Sequence, residues 1–222
     1  PALPTLTLTK PADSVAPGTQ IGSGWSGQVS NQFVFNCSSS EINRSTATPL
    51  SSAIAGLSYS DGTTSFPVYQ LSGVQGIGFA LGIRDFKATN WIAIPPGGVQ
   101  TFPAAGTGNR YTNTLGWRAQ VVFVAAGRLK SGVYQIPPQQ LARLDAFGRA
   151  SSYSPAYLTL PATRITVNAS SCRMTTTANQ AVTLPAVNGS AFSGIGSSPA
   201  ESKAFNVAVS CDAGVTLYAT MT

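Results

Sequence analysis

Short stretches in which apolar and polar residues alternate cover most of the 222-residue chain. They occupy residues 3–9, 28–37, 76–83, 91–94, 115–125, 156–167, 181–187, 204–211 and 215–221. Gly, Pro, Asn and Ser separate them, as such residues separate the strands of antiparallel sheets. Because successive side chains of a strand point to opposite faces, alternation places one apolar face against a core. The pattern therefore predicts an all-β protein built from β-sandwiches.

One stretch has the spacing of a helix instead. Residues 138–147 read PQQLARLDAF, with apolar residues three or four positions apart. This spacing predicts one or two helical turns. The sequence has no alternation of long helices with strands, which disfavours a parallel sheet with crossover helices.

Small polar residues mark a boundary near residue 170. A strand-like stretch ends at Val167, and Ala-Ser-Ser precedes Cys172, a composition typical of linkers. We expect one domain over residues 1–168, a linker over 169–171 and a second domain over 172–222. The second piece has 51 residues, about half of the roughly 100 residues of an immunoglobulin-like sandwich.

Composition excludes several kinds of site. Histidine is absent, which excludes a Ser-His-Asp triad, a Cys-His dyad and histidine metal sites. Three cysteines are too few for a zinc site made of cysteine alone, so no metal or cofactor is expected. No apolar run reaches the roughly 20 residues that span a bilayer. The start at Pro1 has no signal-peptide pattern, so an exported form is expected to be already processed.

The net charge of +6 comes from the region before residue 172, which holds eleven basic and five acidic residues. The arginines are spread along the chain rather than clustered, which disfavours nucleic-acid binding. Residues 22–27 match G-x-G-x-x-G, but a strand-like stretch follows where a dinucleotide site needs a helix. The few carboxylates and the lack of histidine disfavour an enzyme, including a glycoside hydrolase.

The cysteines indicate an oxidising compartment. Cys172 opens the second domain, and Cys211 shares the apolar face of an alternating stretch with Val209. We expect a disulfide between them that closes a loop of about 40 residues, with two buried thiols as the alternative. A disulfide implies the periplasm or the cell exterior. Cys37 either pairs with a cysteine upstream of Pro1 or is a buried free thiol.

Three features follow one another in residues 172–222. They are a first-strand cysteine in CRMTTT, an apolar strand AVTLPAV followed by NGSAF, and a strand KAFNVAVSC that ends in a cysteine. The stretch resembles the opening half of a chaperone–usher pilin domain. That resemblance implies a sandwich without its last strand, whose groove receives a strand from a periplasmic chaperone or the next fimbrial subunit. Half of such a domain exposes its inner face, so we expect a truncated piece covered by something outside this sequence.

Residues 15–170 contain looser motifs in the same order as another group of domains. APG at 16–18 precedes QFVFNC at 32–37, GIGFALGIR follows at 76–84, and VVFVAAGRL with SG lies at 121–132. Together they resemble the receptor-binding domain of two-domain fimbrial tip adhesins. The resemblance implies an extracellular protein at the fimbrial tip that binds a host glycan or matrix protein, with chaperone, usher and next subunit as partners. It also implies an upstream partner for Cys37.

Two stretches combine charge, amide and aromatic groups, as shallow glycan sites do. The first supplies Arg84, Asp85, Lys87, Asn90 and Trp91, and the second supplies Arg110, Tyr111 and Asn113. The alternative is that Trp91 and Phe86 cap a core. Trp25 and Trp117 are expected in the core, and Tyr153 with Tyr157 is a third candidate pair.

Two other functions remain open at this point. A fimbrial adaptor would carry the same pilin features with no ligand of its own. A carbohydrate-binding module of a secreted hydrolase would share the all-β fold and the aromatic site.

Overall fold

The computed structural model describes residues 6–10, 15–25, 27–37, 41–103, 111–149, 152–169, 172–176, 181–183, 186–197, 205–211 and 218. The chain divides into two compact units, Pro1–Ala169 (unit 1) and Ser170–Thr222 (unit 2). Within the described residues, regular structure consists of strands and one three-residue 3-10 helix, Gly189–Ala191. The prediction of an all-β protein is confirmed.

Sixteen strands are present in the described residues. In chain order they are β1 (Leu6–Thr9), β2 (Gln20–Ile21), β3 (Gly27–Asn36), β4 (Ile42–Pro49), β5 (Ala53–Ser60), β6 (Ser65–Gln70), β7 (Ile77–Asp85), β8 (Ile92–Ala93), β9 (Val99–Phe102), β10 (Thr114–Ala125), β11 (Gly132–Ile136), β12 (Gln139–Gly148), β13 (Ala156–Leu160), β14 (Thr163–Asn168), β15 (Cys172–Met174) and β16 (Val209–Cys211).

A seven-stranded sheet forms the centre of unit 1. Strands β7 and β10 pair antiparallel along their length, from Trp117 opposite Asp85 to Ala125 opposite Ile77. On the edge of β10 that faces away from β7, β2 and β3 pair with successive parts of the strand. Strands β6 and β8 share the free edge of β7, and β5 pairs with β6. The two long strands are therefore the middle of the sheet, with neighbours on both edges.

Two smaller sheets complete unit 1. One has the order β13-β12-β4-β9, and the other has the order β1-β14-β11 with β1 parallel to β14. The main core lies on the inner face of β7 and β10, where the odd-numbered side chains such as Phe79, Leu81 and Phe123 are buried. Trp117 is buried in this core as expected from the sequence, and its indole Nε1 donates to Thr101 Oγ1 at 2.9 Å.

Residues 138–147 were expected to form a short helix, and this expectation is wrong. They lie in β12, which pairs with both β13 and β4. A register shift between Gln140 and Ala142 buries Leu141 as well as Leu144. In a regular strand, residues on one face are an even number of positions apart. A bulge adds one residue to the strand, so Leu141 and Leu144 lie on the same side although they are three positions apart.

Unit 2 contains one antiparallel pair of strands, β15 and β16, among its described residues. Cys172 lies directly opposite Cys211, and a disulfide joins them, so this predicted pairing is confirmed. The apolar face expected to carry Cys211 toward a core is exposed instead. Phe205 and Val207 are each about half exposed, and Val209 is 37% exposed.

Cys37 carries no disulfide. Its side chain packs partly buried against the core of unit 1, with Sγ 3.5 Å from the hydroxyl of Tyr153. The hypothesis of a partner upstream of Pro1 stays a prediction.

Candidate functional site

The two ends of unit 1 differ in what they carry. The chain leaves the unit at Ala169, whose carbonyl accepts a hydrogen bond from Ser131 Oγ at 2.8 Å. Ser131 follows the end of β10, where Ala126 N–H donates to the carbonyl of Gly76. The other end, where β10 begins and β3 and β7 finish, we call the far end. The twelve residues of β10 separate the two ends by about 35 Å at the usual rise of a strand.

A small recess lies toward the far end, on the outer face of the seven-stranded sheet. We call it the arginine recess, and its volume is about 130 Å³. It is lined by Gln28, Val29, Ser30, Arg84, Trp91 and Arg118. Arg84 on β7 is directly opposite Arg118 on β10, and Arg118 is directly opposite Ser30 on β3. Three adjacent strands thus position the lining side chains.

Aromatic rings hold both guanidinium groups. The Cζ atom of Arg84 lies 4.7 Å from the ring centroid of Trp91, and that of Arg118 lies 4.6 Å from the centroid of Phe86. Arg84 Nη1 also donates to the carbonyl of Ala88 at 3.0 Å and to that of Thr89 at 2.6 Å. Arg84 therefore ties down the loop that joins β7 to β8, and this loop carries Trp91.

Amide groups lie beside the arginines. Gln120 is 4% exposed, and its Oε1 lies 3.4 Å from the Nε2 donor of Gln28. Gly82 is directly opposite Gln120, and a Cβ atom at Gly82 would lie 2.9 Å from Gln120 Nε2. The missing side chain of Gly82 therefore makes room for the glutamine on the sheet surface.

Positive charge in the recess is not offset by the described carboxylates. Asp85 accepts from the backbone N–H of Lys87, and Asp61 accepts from the backbone N–H of Thr64. Asp145 pairs with Arg143, and Glu41 accepts from the hydroxyl of Tyr153. The Nε atoms of Arg84 and Arg118 are buried and have no hydrogen-bond partner. No described protein group accepts a hydrogen bond from either Nε–H group.

A larger and more open cleft lies at the same end. We call it the far cleft; its volume is about 650 Å³. Its lining residues are Asn43, Arg44, Gln100, Pro103, Phe147, Gly148, Arg149 and Ser152. The Cζ atom of Arg44 lies 4.2 Å from the centroid of Phe147, and that of Arg149 lies 4.1 Å from the centroid of Tyr111. Volumes of this size suit small ligands such as saccharides.

A third opening of about 770 Å³ lies at the opposite end of unit 1, next to Gly76 and Ala126. No charged side chain lines it. Of these three openings, the two with charged and aromatic linings lie toward the far end.

The structure brings together two residues of the first predicted stretch, Arg84 and Trp91. Lys87 and Asn90 lie exposed on the same loop. Asp85 is only 6% exposed and points to the inner face, where its Oδ1 accepts from Lys87 N–H at 2.9 Å. Burial raises the pKa of Asp85 above its usual value.

The second predicted stretch lies near the far cleft and not in the recess. Tyr111 is 43% exposed and stacks on Arg149. Asn113 is exposed, and its carbonyl accepts from the backbone N–H of Cys37 at 2.7 Å. Arg110 lies outside the described residues.

Sequence reasoning missed most of the recess. The residues that it did not single out are Gln28, Val29, Ser30 and Arg118 in the recess, Gln120 beside it, and Arg44 and Arg149 in the far cleft. A signal existed for two of them, because Arg118 and Gln120 alternate with the buried Trp117, Ala119 and Val121 and so face away from the core.

Comparison with solved structures gives a match that bears on function. The chain is similar to the AtfE adhesin of the ambient temperature fimbriae of Proteus mirabilis. The sequence identity is 27% and the TM-score 0.65, over 75% of this chain and 96% of that chain. This chain is similar in both fold and sequence to a fimbrial adhesin. No protein-family model and no curated protein matches it.

The similarity confirms the predicted fold class, an immunoglobulin-like β-sandwich of the fimbrial adhesin kind, and it supports a role in adhesion. In the described part of the chain, no three His, Cys, Asp or Glu side chains gather as a metal site would require. No helix among the same residues is long and apolar enough to cross a bilayer.

Proposed function

We propose that this protein is the tip adhesin of a chaperone–usher fimbria and attaches bacteria to a host surface by non-covalent binding of a host glycan or extracellular protein. The similarity to a fimbrial adhesin carries this proposal. On this proposal the protein lies outside the cell, at the fimbrial tip, and acts without a catalytic step.

The ligand binds at the far end of unit 1. This end carries the arginine recess and the far cleft, each with an aromatic side chain against a guanidinium group. The chain exits the unit near the opposite end, at Ala169. An adhesin domain that is held where its chain exits can reach a receptor with a binding surface at its other end.

Unit 2 is the opening half of a pilin domain and connects the adhesin to the fimbria. In support, Met174, Phe192, Phe205 and Val207 expose about half of their surface, as an incomplete sandwich does before a strand is added. The Cys172–Cys211 disulfide fits assembly in the periplasm. The partners of this unit are the periplasmic chaperone, the usher and the next fimbrial subunit.

A screen of the whole chain on immobilised host glycans and matrix proteins tests this function. We expect binding to at least one of them, and we expect Trp91→Ala to weaken it about tenfold or more, a loss of roughly 1.4 kcal/mol. Tyr218→Ala is the matched control, because Tyr218 is 87% exposed and belongs to unit 2. The thermal midpoint of Trp91→Ala should stay near that of the unchanged protein.

Three outcomes would contradict the proposal. Binding to other fimbrial subunits with none to host molecules would indicate an adaptor. Release of sugar from a bound glycan would indicate a hydrolase. A fall of several degrees in the thermal midpoint of Trp91→Ala would place that ring in the core instead of the site.

A further inference from the structure

We propose that the arginine recess binds one anionic group, a carboxylate or a sulfate ester, and that the ligand of the protein is therefore an acidic glycan. This inference rests on the proposed function, because it names the class of ligand for the same end of unit 1. Its observations are the paired arginines, their buried Nε atoms and the size of the recess.

The first step concerns the charges of Arg84 and Arg118. They are directly opposite on adjacent antiparallel strands, where like charges destabilise a sheet. The described carboxylates are engaged elsewhere, and the buried Nε–H groups have no partner. Since the carboxylates of the described residues make their hydrogen bonds and ion pairs with other groups, an anion on the open side would offset the repulsion.

The second step concerns orientation. The Cζ atom of Arg84 lies over the ring of Trp91 and that of Arg118 over the ring of Phe86, each within 5 Å of the centroid. This cation–π arrangement leaves N–H groups other than the buried Nε–H for a ligand. Arg84 Nη1 is held by the carbonyls of Ala88 and Thr89, which fixes the direction of that group before a ligand arrives. A fixed guanidinium edge can donate to a pair of oxygens of a carboxylate or a sulfate ester.

The third step concerns size. The recess measures about 130 Å³, roughly the liquid volume of four water molecules at ~30 Å³ each. This space fits an acidic group and not a whole sugar ring, so the ring lies outside the recess. Exposed polar side chains line the recess there, Gln28 and Ser30 on β3. The loop that carries Trp91 also exposes Lys87 and Asn90.

The neutral side chains of Gln28 and Ser30 favour a glycan over an acidic peptide. Amides and a hydroxyl recognise sugar hydroxyl groups by hydrogen bonds, whereas a peptide with several carboxylates needs a row of cations. Beside the two arginines, Lys87 is the one further cation among the described residues of the loop and of residues 28–30.

Titration of the whole chain with defined probes tests the inference directly. The probes are lactose, 3′-sialyllactose, 3′-sulfolactose and sodium sulfate, followed through the ¹⁵N-Hε signals of Arg84 and Arg118 by NMR. We expect saturable shifts of both signals with the sialylated or the sulfated sugar and none with lactose. The two acidic sugars show whether carboxylate or sulfate is preferred, and sodium sulfate shows whether the anion suffices.

Substitutions give the second readout. Arg118→Gln should weaken binding of the preferred acidic sugar about tenfold to a hundredfold, the range for hydrogen bonds to charged groups. Arg164→Gln is the matched control, because Arg164 is an exposed strand arginine on β14. Affinity for the acidic sugar should also fall as salt rises. Should Arg118→Gln fail to fold, the titration of the unchanged protein still decides the matter.

The inference is overturned if lactose shifts the arginine signals as much as the acidic sugars do, if no probe shifts them, or if an acidic peptide binds more tightly than either acidic sugar. Failure of the proposed function is distinct. In that case the arginine signals respond to the acidic probes while no host glycan or matrix protein on the array is bound.

Discussion

The outer face of the central sheet has two halves built on the same pair of strands. In one half, Gly78 is opposite Val124 and Ala80 is opposite Val122. Tyr59 and Phe66 on β5 and β6 pack over this half together with Trp25. In the other half, Gly82 is opposite Gln120 and Arg84 is opposite Arg118, and this half opens into the arginine recess.

The difference shows that the strands paired with the edge of β7 determine which side chains its outer face can carry. Strand β6 pairs with β7 over Gly78 and Ala80, but beyond them only the two residues of β8 pair with that edge. Where side chains of β5 and β6 and the ring of Trp25 pack on the face, its residues are small or apolar, because a buried polar group without a partner is costly. Where the cover ends, arginines fit with their stems on aromatic rings.

The largest loss of stability is expected when a buried side chain is removed from the covered half. Phe66 is fully buried and lies 4.9 Å from Trp25 between ring centroids. We expect Phe66→Ala to lower the free energy of unfolding by about 3–5 kcal/mol, because it leaves a cavity. The matched change in the open half, Phe86→Ala, should cost about 1–2 kcal/mol, since that ring is only partly buried.

Urea unfolding of both variants measures this difference. Equal losses in the two variants would mean that the open half is as tightly packed as the covered one, and the comparison between them would not hold.

Two glycines on the same face of β7 provide an intermediate effect. A Cβ atom at Gly78 would lie 2.5 Å from Val68 Cγ1 and 3.0 Å from the carbonyl oxygen of Tyr69. We expect Gly78→Ala to cost about 1–3 kcal/mol, as overpacking does. At Gly82 the added atom meets the side chain of Gln120, so Gly82→Ala should cost less than about 1 kcal/mol while it disturbs the recess.

Thermal unfolding and the acidic-sugar titration together separate these two variants. The expected pattern is a lower midpoint with Gly78→Ala and weaker sugar binding with Gly82→Ala. A reversed pattern would show that Gln120 is held more rigidly than Val68.

The smallest effect concerns Asp85, which follows Arg84 on β7 but faces inward. Burial raises its pKa in the folded protein, so the folded state holds the proton more tightly than the unfolded state does. Protonated Asp85 therefore contributes to the free energy of unfolding. This contribution is complete below the pKa that Asp85 has in the unfolded chain, and it is lost as the pH rises through its raised pKa in the folded protein. Asp85→Asn should therefore gain stability relative to the unchanged protein as the pH rises.

Urea unfolding of Asp85→Asn and the unchanged protein across pH 3–8 checks the sign. Asn retains an oxygen that accepts from the N–H of Lys87, so the turn after β7 is expected to be the same in both proteins. A constant difference between the two proteins at every pH would show that Asp85 has the same pKa folded and unfolded.

Local pattern was sufficient for much of the fold and for part of the site. Alternation predicted the strands, and the cysteine positions predicted the disulfide of unit 2. Arg84 and Trp91 were found together because they are seven residues apart in one loop stretch. Residues 138–147 were misread because a bulge in β12 gives two leucines the spacing of a helical face.

Contacts between distant parts of the chain were beyond such reasoning. Arg118 is 34 residues from Arg84, and Gln28 is 92 residues from Gln120. The recess exists because β3, β10 and β7 are neighbours in one register, and a shift by one residue would turn Arg118 to the other face.

The sequence alone determined which residues alternate, and therefore that this chain forms sheets with one face in a core. It also determined that the chain contains no histidine and only seven acidic residues for acid–base catalysis or metal binding. Only the tertiary structure decided which polar faces meet, because strand order and register depend on packing summed over the whole sandwich. Two arginines that are unrelated in the sequence thus become neighbours at the far end of unit 1.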